Sequence, residues 1–363
     1  MARSRSLPAA LAQRAKIVNE SAGHGGDMII VKMWQWVLKL STLAMLLVQF
    51  SAFAQPLANY PSRPVRLVLP FAPGAATDFT ARIIGPRLTE ELGKQIIIDN
   101  RAGAGGLIGV ELVARSNPDG HTLLHSNVGA IAITPWVHPS IQPLRDLVPI
   151  TRIVDVPSML VANPSFPPNT VRELIDYAKA NPGKINYSSG SIGLVVASRL
   201  MMESFMRDVG IKMSHIGYKG GAGQAVIGLL SNEVPVMFVT MPTVIGFVKQ
   251  NRLKGLGVTA ETRVSAAPNV PTFPELGYPA MKFGTWQGIF APKGTPPAIV
   301  DRLFTAVVKV MAFPDVKERL ADGGVYSTVS KSPTEFFEFV KAETNQFGRS
   351  LKATESDTAA ETR

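Results

Sequence analysis

Few residues in this 363-residue chain could carry chemistry, and their spacing withholds most of it. Of the five histidines, His24, His121, His125, His138 and His215, only His121 and His125 stand at HxxxH spacing, in HTLLH, which reads as a strand and so holds them too far apart to share a metal, and there is no cysteine. Thiolate metal sites and disulfides are thereby excluded, and a histidine-built metal site has no basis. GAGGLIG, Gly103 to Gly109, comes near a dinucleotide fingerprint, but Ile108 stands where its third glycine must be. SSGSIG, Ser188 to Gly193, comes near a nucleophile elbow, yet no serine in it has a glycine two residues before and two after. A phosphate loop ending in GKS or GKT is absent. Nucleophile, base and orienting group are nowhere nominated together, so the chain reads as a binding protein, not an enzyme, with no metal and no cofactor. What remains is a set of loops built from small residues: FAPGAATD, HSNVGA, YSSGSIG, YKGGAG and FVTMPT. Small side chains let a ligand approach the backbone, and the amides that open a helix offer N–H donors and a positive dipole end to an anion.

The elements around these loops alternate. VRLVLPF is a near-continuous apolar run, as expected of a strand buried on both faces of a parallel sheet. From Thr77 the period becomes helical, with Phe79, Ile83, Ile84 and Leu88 on one side, Gly93 as the stop, and a kink expected at Gly85-Pro86. QIIIDN is the next strand, and the Gly-rich loop after Arg101 leads into a helix, a turn at Asn117 to Gly120 and a strand ending near Ser126. Two βαβ units in succession make one lobe. Later helices announce themselves by caps: Thr170 with Glu173, Thr295-Pro296, and Ser332-Pro333-Thr334-Glu335. Strand and helix signals alternate from about residue 60 to about residue 350, which favours an α/β fold, and the chain is long enough for two lobes.

Charge argues against nucleic acid. The net charge is +10, but six cations against Glu20 and Asp27 put +4 of it before Ala54, and the remaining +6 is scattered without a basic stripe. Such a field modestly favours a small anion. Residues 33–54, MWQWVLKLSTLAMLLVQFSAFA, read as a secretory signal: Lys39, an apolar stretch to Phe50, then Ala52-Phe53-Ala54 for cleavage after Ala54. The apolar part is too short to span a bilayer comfortably. Residues 1–32 then read as an extension from a start codon placed too early, with Met28 or Met33 the true start. The end of the chain, 353–363, reads as a disordered tail.

Six ordered blocks carry a resemblance. YPSRPVRLVLPFAPGAATD, IIIDNRAGAGGLIG, PDGHTLL, HIGYKGGAGQAVIGLLSNEVPVMF, APNVPTFPELG and TWQGIFAPKGTPPAIVDRL fall in the order and spacing of the extracytoplasmic solute receptors of tripartite tricarboxylate transporters, the Bug family. The chain resembles that family over about residues 60 to 352. The resemblance implies an α/β, two-lobed periplasmic binding protein of type II-like, flytrap form, with a hinge between the lobes. Residues 60–157 and 288–352 would form the first lobe and 158–287 the second. It implies a small carboxylate ligand, mono-, di- or aromatic, and the membrane permease of a tripartite transporter as partner. Docking on a sensor histidine kinase is the alternative from another class.

The family's first binding loop maps onto Phe71, Gly74, Ala75, Ala76, Thr77 and Asp78, with backbone amides and the Thr77 hydroxyl as donors and Asp78 in the acidic position. Its second loop maps onto Ser188, Ser189, Gly190 and Ser191, its third onto Ser126 and Asn127. Tyr218 and Lys219 are expected to be structural. This chain departs from the family at GLVVASRL, which is apolar, and at Val239 and Thr240, where Asp and Asn are usual. Fewer hydroxyls and acids suit an apolar ligand body, which implies a monocarboxylate or aromatic acid rather than citrate.

Overall fold

The computed structural model describes residues 60–136, 142–190, 197–281 and 284–361, besides Trp36, with side chains described as far as residue 349. The segments read as an N-terminal extension and a secretory signal lie outside the described residues, and so does Ser191 of the second loop.

The elements run β1 (Val65–Leu69), α1 (Ala76–Leu92), β2 (Ile96–Asn100), α2 (Leu107–Ala114), β3 (Thr122–Asn127), α3 (Pro143–Asp146), β4 (Leu147–Ala162), α4 (Val171–Ala180), β5 (Asn186–Ser189), α5 (Ala197–Val209), β6 (Ser214–Gly217), α6 (Gly221–Leu230), β7 (Val236–Thr240), α7 (Met241–Lys249), β8 (Lys254–Val258), β9 (Gly284–Pro292), α8 (Pro297–Ala312), α9 (Pro314–Asp322), β10 (Tyr326–Ser327) and α10 (Pro333–Glu361). Alternating strand and helix build two sheets that share one strand. In the first, β2, β1, β3, β9 and β4 lie side by side, with β10 on the free edge of β4. In the second, β6, β5, β7 and β4 follow in order, with β8 beyond β4. The β1–β2, β1–β3, β5–β6 and β5–β7 pairs are parallel, as βαβ units require. The long strand β4 is antiparallel to all its partners, pairing β9 as far as Pro157 and β7 from Ser158.

Each sheet is covered on both faces. In the second, the fully buried Tyr187, Phe205, Phe238 and Phe273 fill one side, where Phe205 meets Phe238 and Phe273 edge-on at 6.0 and 5.7 Å. Met237 and Val239, which alternate with Phe238 along β7, pack on the other side with Val226 and Leu229 of α6 and Val244 of α7. In the first sheet, Val68, Leu124, Trp286 and Phe290 meet Val110 and Val113 of α2 and Phe336 of α10. α1 lies on the opposite face, where a Cβ on Gly85 would sit 3.5 Å from Ile98.

The caps at Thr170 and Ser332 form: Thr170 Oγ1 accepts from Glu173 N at 3.1 Å and Ser332 Oγ from Glu335 N at 3.1 Å. Thr295 does not cap α8; its hydroxyl donates back to Pro292 O, and Pro296 and Pro297 open the helix by their fixed φ. Pro86 leaves α1 one helix, because its missing N–H removes only the single bond to the carbonyl of Arg82. α10 runs on to Glu361, through most of the segment expected to lack structure.

Candidate functional site

β1 ends at Leu69, and the chain turns through Pro70–Ala75 into α1. The first helical bond runs from Phe79 N to Ala75 O, so the amides of Ala76, Thr77 and Asp78 belong to the unpaired first turn, and the N-cap, Ala75, supplies no side chain. Three N–H donors at a positive dipole end thus stand at the C-terminal edge of the first sheet.

Asp78 braces this turn. Its Oδ2 accepts from Gly74 N at 3.0 Å and from Arg82 Nε at 2.8 Å. Burial pushes its pKa up, but Arg82, the Gly74 N–H and the nearby Asn100 amide outweigh it and hold the carboxyl below its ordinary value. Gly74 sits at φ 83°, where a side chain is strained, with its amide committed to Asp78. That N–H, expected to meet a ligand, is therefore already engaged within the loop. Phe71 is half-buried against the loop after β2: a Cβ on Gly106 would lie 3.4 Å from its ring. Asn100 Nδ2 ties Phe71 O at 3.0 Å.

The register of β1 on β3, Val68 opposite Leu124, carries forward to set Pro70 and Phe71 beside Ser126 and Asn127. The first and third loops are therefore neighbours. Asn127 Oδ1 accepts from Gly129 N and Ala130 N, so this oxygen caps the turn that follows. Ser126 Oγ is buried without a partner, as are Thr77 Oγ1 and Asp78 Oδ1.

The second sheet brings Ser188 opposite Met237, and Thr240 stands opposite Ser158 at the crossing of β4. Ser188 and Ser189 point to opposite faces by the alternation of a strand. Ser188 Oγ is buried and unpartnered, whereas Ser189 Oγ meets His215 Nε2 at 2.7 Å. Burial, and then the Arg199 charge, hold the His215 pKa below its ordinary value. Gly190 is required by packing, since a Cβ there would come within 2.5 Å of Ala222 N. Thr240 Oγ1 pairs with Thr243 Oγ1 at 3.1 Å. Tyr218 lies over Gly228, and Lys219 is exposed. Two buried residues beside the third loop were given no site role from the sequence: His125, and Gln287 opposite Asn127 on β9. Single polar residues in apolar strand runs carry no spacing signal.

A cavity of about 430 Å³ lies apart from all of these, lined by Asp155, Pro157, Thr259, Gly284, Trp286 and Tyr326 among others. It adjoins the hinge strands and β10, and with Asp155 and Glu261 in its wall it is a poor host for an anion. The amide-rich end of α1 is the better candidate on chemistry. Among the described residues, no group of three or more His, Cys, Asp or Glu could hold a metal, and no helix is long and apolar enough to cross a membrane.

Comparisons with known proteins give the same frame. Residues 80–355 match the model of the tripartite tricarboxylate transporter family receptor. The solved periplasmic binding protein BugD is 33% identical, with a TM-score of 0.75, over 81% of this chain and 98% of that one. R. palustris Rpa4515, solved with adipate, is 29% identical with a TM-score of 0.76 over 81% and 97% of the two chains. MatC from Rhodopseudomonas palustris, solved with bound malate, is 29% identical with a TM-score of 0.72 over 80% and 99%. The likeness extends to the fold, an α/β periplasmic binding protein of two lobes, and nothing in it speaks for docking on a sensor kinase. The chain belongs to the receptors of the tripartite tricarboxylate transporter family, as a solute-binding protein and not an enzyme.

Proposed function

We propose that this receptor captures a small carboxylate between its lobes and delivers it to the permease of a tripartite transporter. The observation that carries the reading is the uncapped first turn of α1, where three amides meet the buried, unpartnered Thr77 hydroxyl. A carboxylate there accepts charge-assisted bonds without needing a cationic side chain. Ser126 from the same lobe and Ser188 from the other add hydroxyls, and the ligand body lies toward Thr240. The adipate and malate of the two R. palustris relatives support the class. The apolar second loop favours a monocarboxylate, aromatic acid or slender diacid over citrate.

The lobes proposed are 60–157 with 288–352, and 158–287, hinged where β4 passes between the sheets beside the start of β9. Export by a signal over 33–54, cut after Ala54, accompanies this reading. The test is a thermal-shift screen of the chain from Gln55 onward against mono-, di- and tricarboxylates, aromatic acids and neutral sugars. Binding to the native state alone raises stability by about 2.7 kcal/mol at a hundredfold excess over Kd. A shift confined to carboxylates is expected; a shift with sugars alone, or with no acid, would sink the proposal.

A further inference from the structure

His125 and Gln287 form a buried polar pair within apolar strands. His125 is fully buried and Gln287 is 1% exposed, and His125 Nε2 meets Gln287 Oε1 at 2.9 Å. Burial pulls the His125 pKa down to about 4, so the ring is neutral at any ordinary pH. A neutral imidazole facing a carboxamide oxygen donates through that nitrogen. The bond fixes the amide plane, with Oε1 turned to His125 and the NH₂ left over; Gln287 Nε2 is buried without an acceptor. A buried donor in that state is costly unless something completes it.

Its place in the fold says what could. Gln287 is the register partner of Asn127, and partners across a ladder share a face. That face also carries His125 and, through the β1–β2 register, Ile98 beneath Gly85 of α1. The free amide thus stands at the C-terminal edge of the first sheet, on the face that α1 covers. The first turn of that helix adds Thr77 Oγ1 and Asp78 Oδ1, also buried and unpartnered. β9, which bears Gln287, pairs with β4, the strand that the two sheets share.

We propose that Gln287 is a specificity-determining residue whose N–H reads a second oxygen of the ligand, with His125 as its positioning residue. The inference rests on the carboxylate reading: the α1 amides take one carboxylate, and Gln287 takes an oxygen farther along, from a second carboxylate, a carbonyl or a hydroxyl. An uncharged donor does not demand a second charge, so it separates ligands by the presence of that oxygen and not by net charge.

Calorimetric titration of the whole receptor with adipate, malate and hexanoate tests this, hexanoate having the chain of adipate without its second carboxylate. In Gln287→Leu the affinity for adipate or malate should fall at least tenfold while that for hexanoate stays within twofold. His125→Leu should shift the same ratio, and the double variant should lose no more than the single ones, since both remove one contact. A merely structural pair would lower all affinities together or none. Should Gln287→Leu not fold, Gln287→Asn keeps the amide one methylene short and gives the same readout. Equal losses for all three acids, unchanged affinities, or a wild type that binds hexanoate alone would overturn the inference and leave the carboxylate reading standing. A wild type that binds none of these or other acids removes both.

Discussion

Asp78 shows how one side chain can serve a site without being its visible donor. Its carboxylate ties Gly74 N–H and Arg82, and so sets the loop that presents the next amides. Because the folded pKa lies below the ordinary value, the group stabilises the fold above the unfolded carboxyl pKa of about 3.9, and that contribution disappears as pH falls through the lower folded value. Asp78→Asn should therefore lower the melting temperature at pH 7, and the difference from the wild type should shrink below about pH 4, as measured by thermal unfolding across pH. The same variant should weaken carboxylate binding, since Gly74 and its neighbours lose their brace. The acidic position was legible in PFAPGAATD, but its partners were not, because an acid in the first turn of a helix does not reveal from the sequence which groups it will meet. Ser188 and Ser189 are a similar case: adjacent letters of one type, separated by strand alternation into an unpartnered hydroxyl and a partner of His215. Gln287 lay hidden for the opposite reason, as a single letter whose meaning comes only from the strand beside it.

Elements with local causes could be read from the chain directly. The capping boxes at Thr170 and Ser332 and the stop at Gly93, which takes φ 68°, are set by residues within a few positions of each other. β4 is different. Its sixteen residues, LVPITRIVDVPSMLVA, contain Pro149 and Pro157, which argue against a strand interior. The fold accommodates them by breaking register with β9 beside Pro149 and by changing sheets after Pro157. No local pattern could reveal that two sheets share this strand. Glycine at the end of β5 has a contact reason instead of a conformational one. Gly190→Ala would drive a Cβ to 2.5 Å from the backbone of α6, and overpacking of this kind costs about 1–3 kcal/mol. Denaturant unfolding should register that loss, and ligand affinity should fall with it, because Ser188 sits two residues away.

At the scale of the molecule, two sheets meeting on β4, with β9 alongside as far as Gly284, leave few connections between the lobes. Outside the hinge, the lobes touch where α1 meets α7, where Met241 at the start of α7 abuts Gly324, where Lys249 Nζ donates to Asp322 O at 3.3 Å, and where Leu200 of α5 packs on the core of the first lobe. Such sparse contacts suit hinge motion, and saturating carboxylate should reduce the radius of gyration seen by small-angle scattering. An unchanged radius with bound ligand would mean that capture occurs without closure. The arrangement of β4 also bears on how the chain assembles. Its first half emerges early, yet the strand that pairs with it, β9, begins only at Gly284, after the whole second lobe. Until then β3 and β4 present open edges, the first sheet is unfinished, and its closure waits on contacts between residues far apart in sequence. The second lobe, whose strands β5 to β8 close on β4 from within one continuous stretch, can fold first, and the edge of the first sheet beside the proposed carboxylate site is sealed only when β9 arrives.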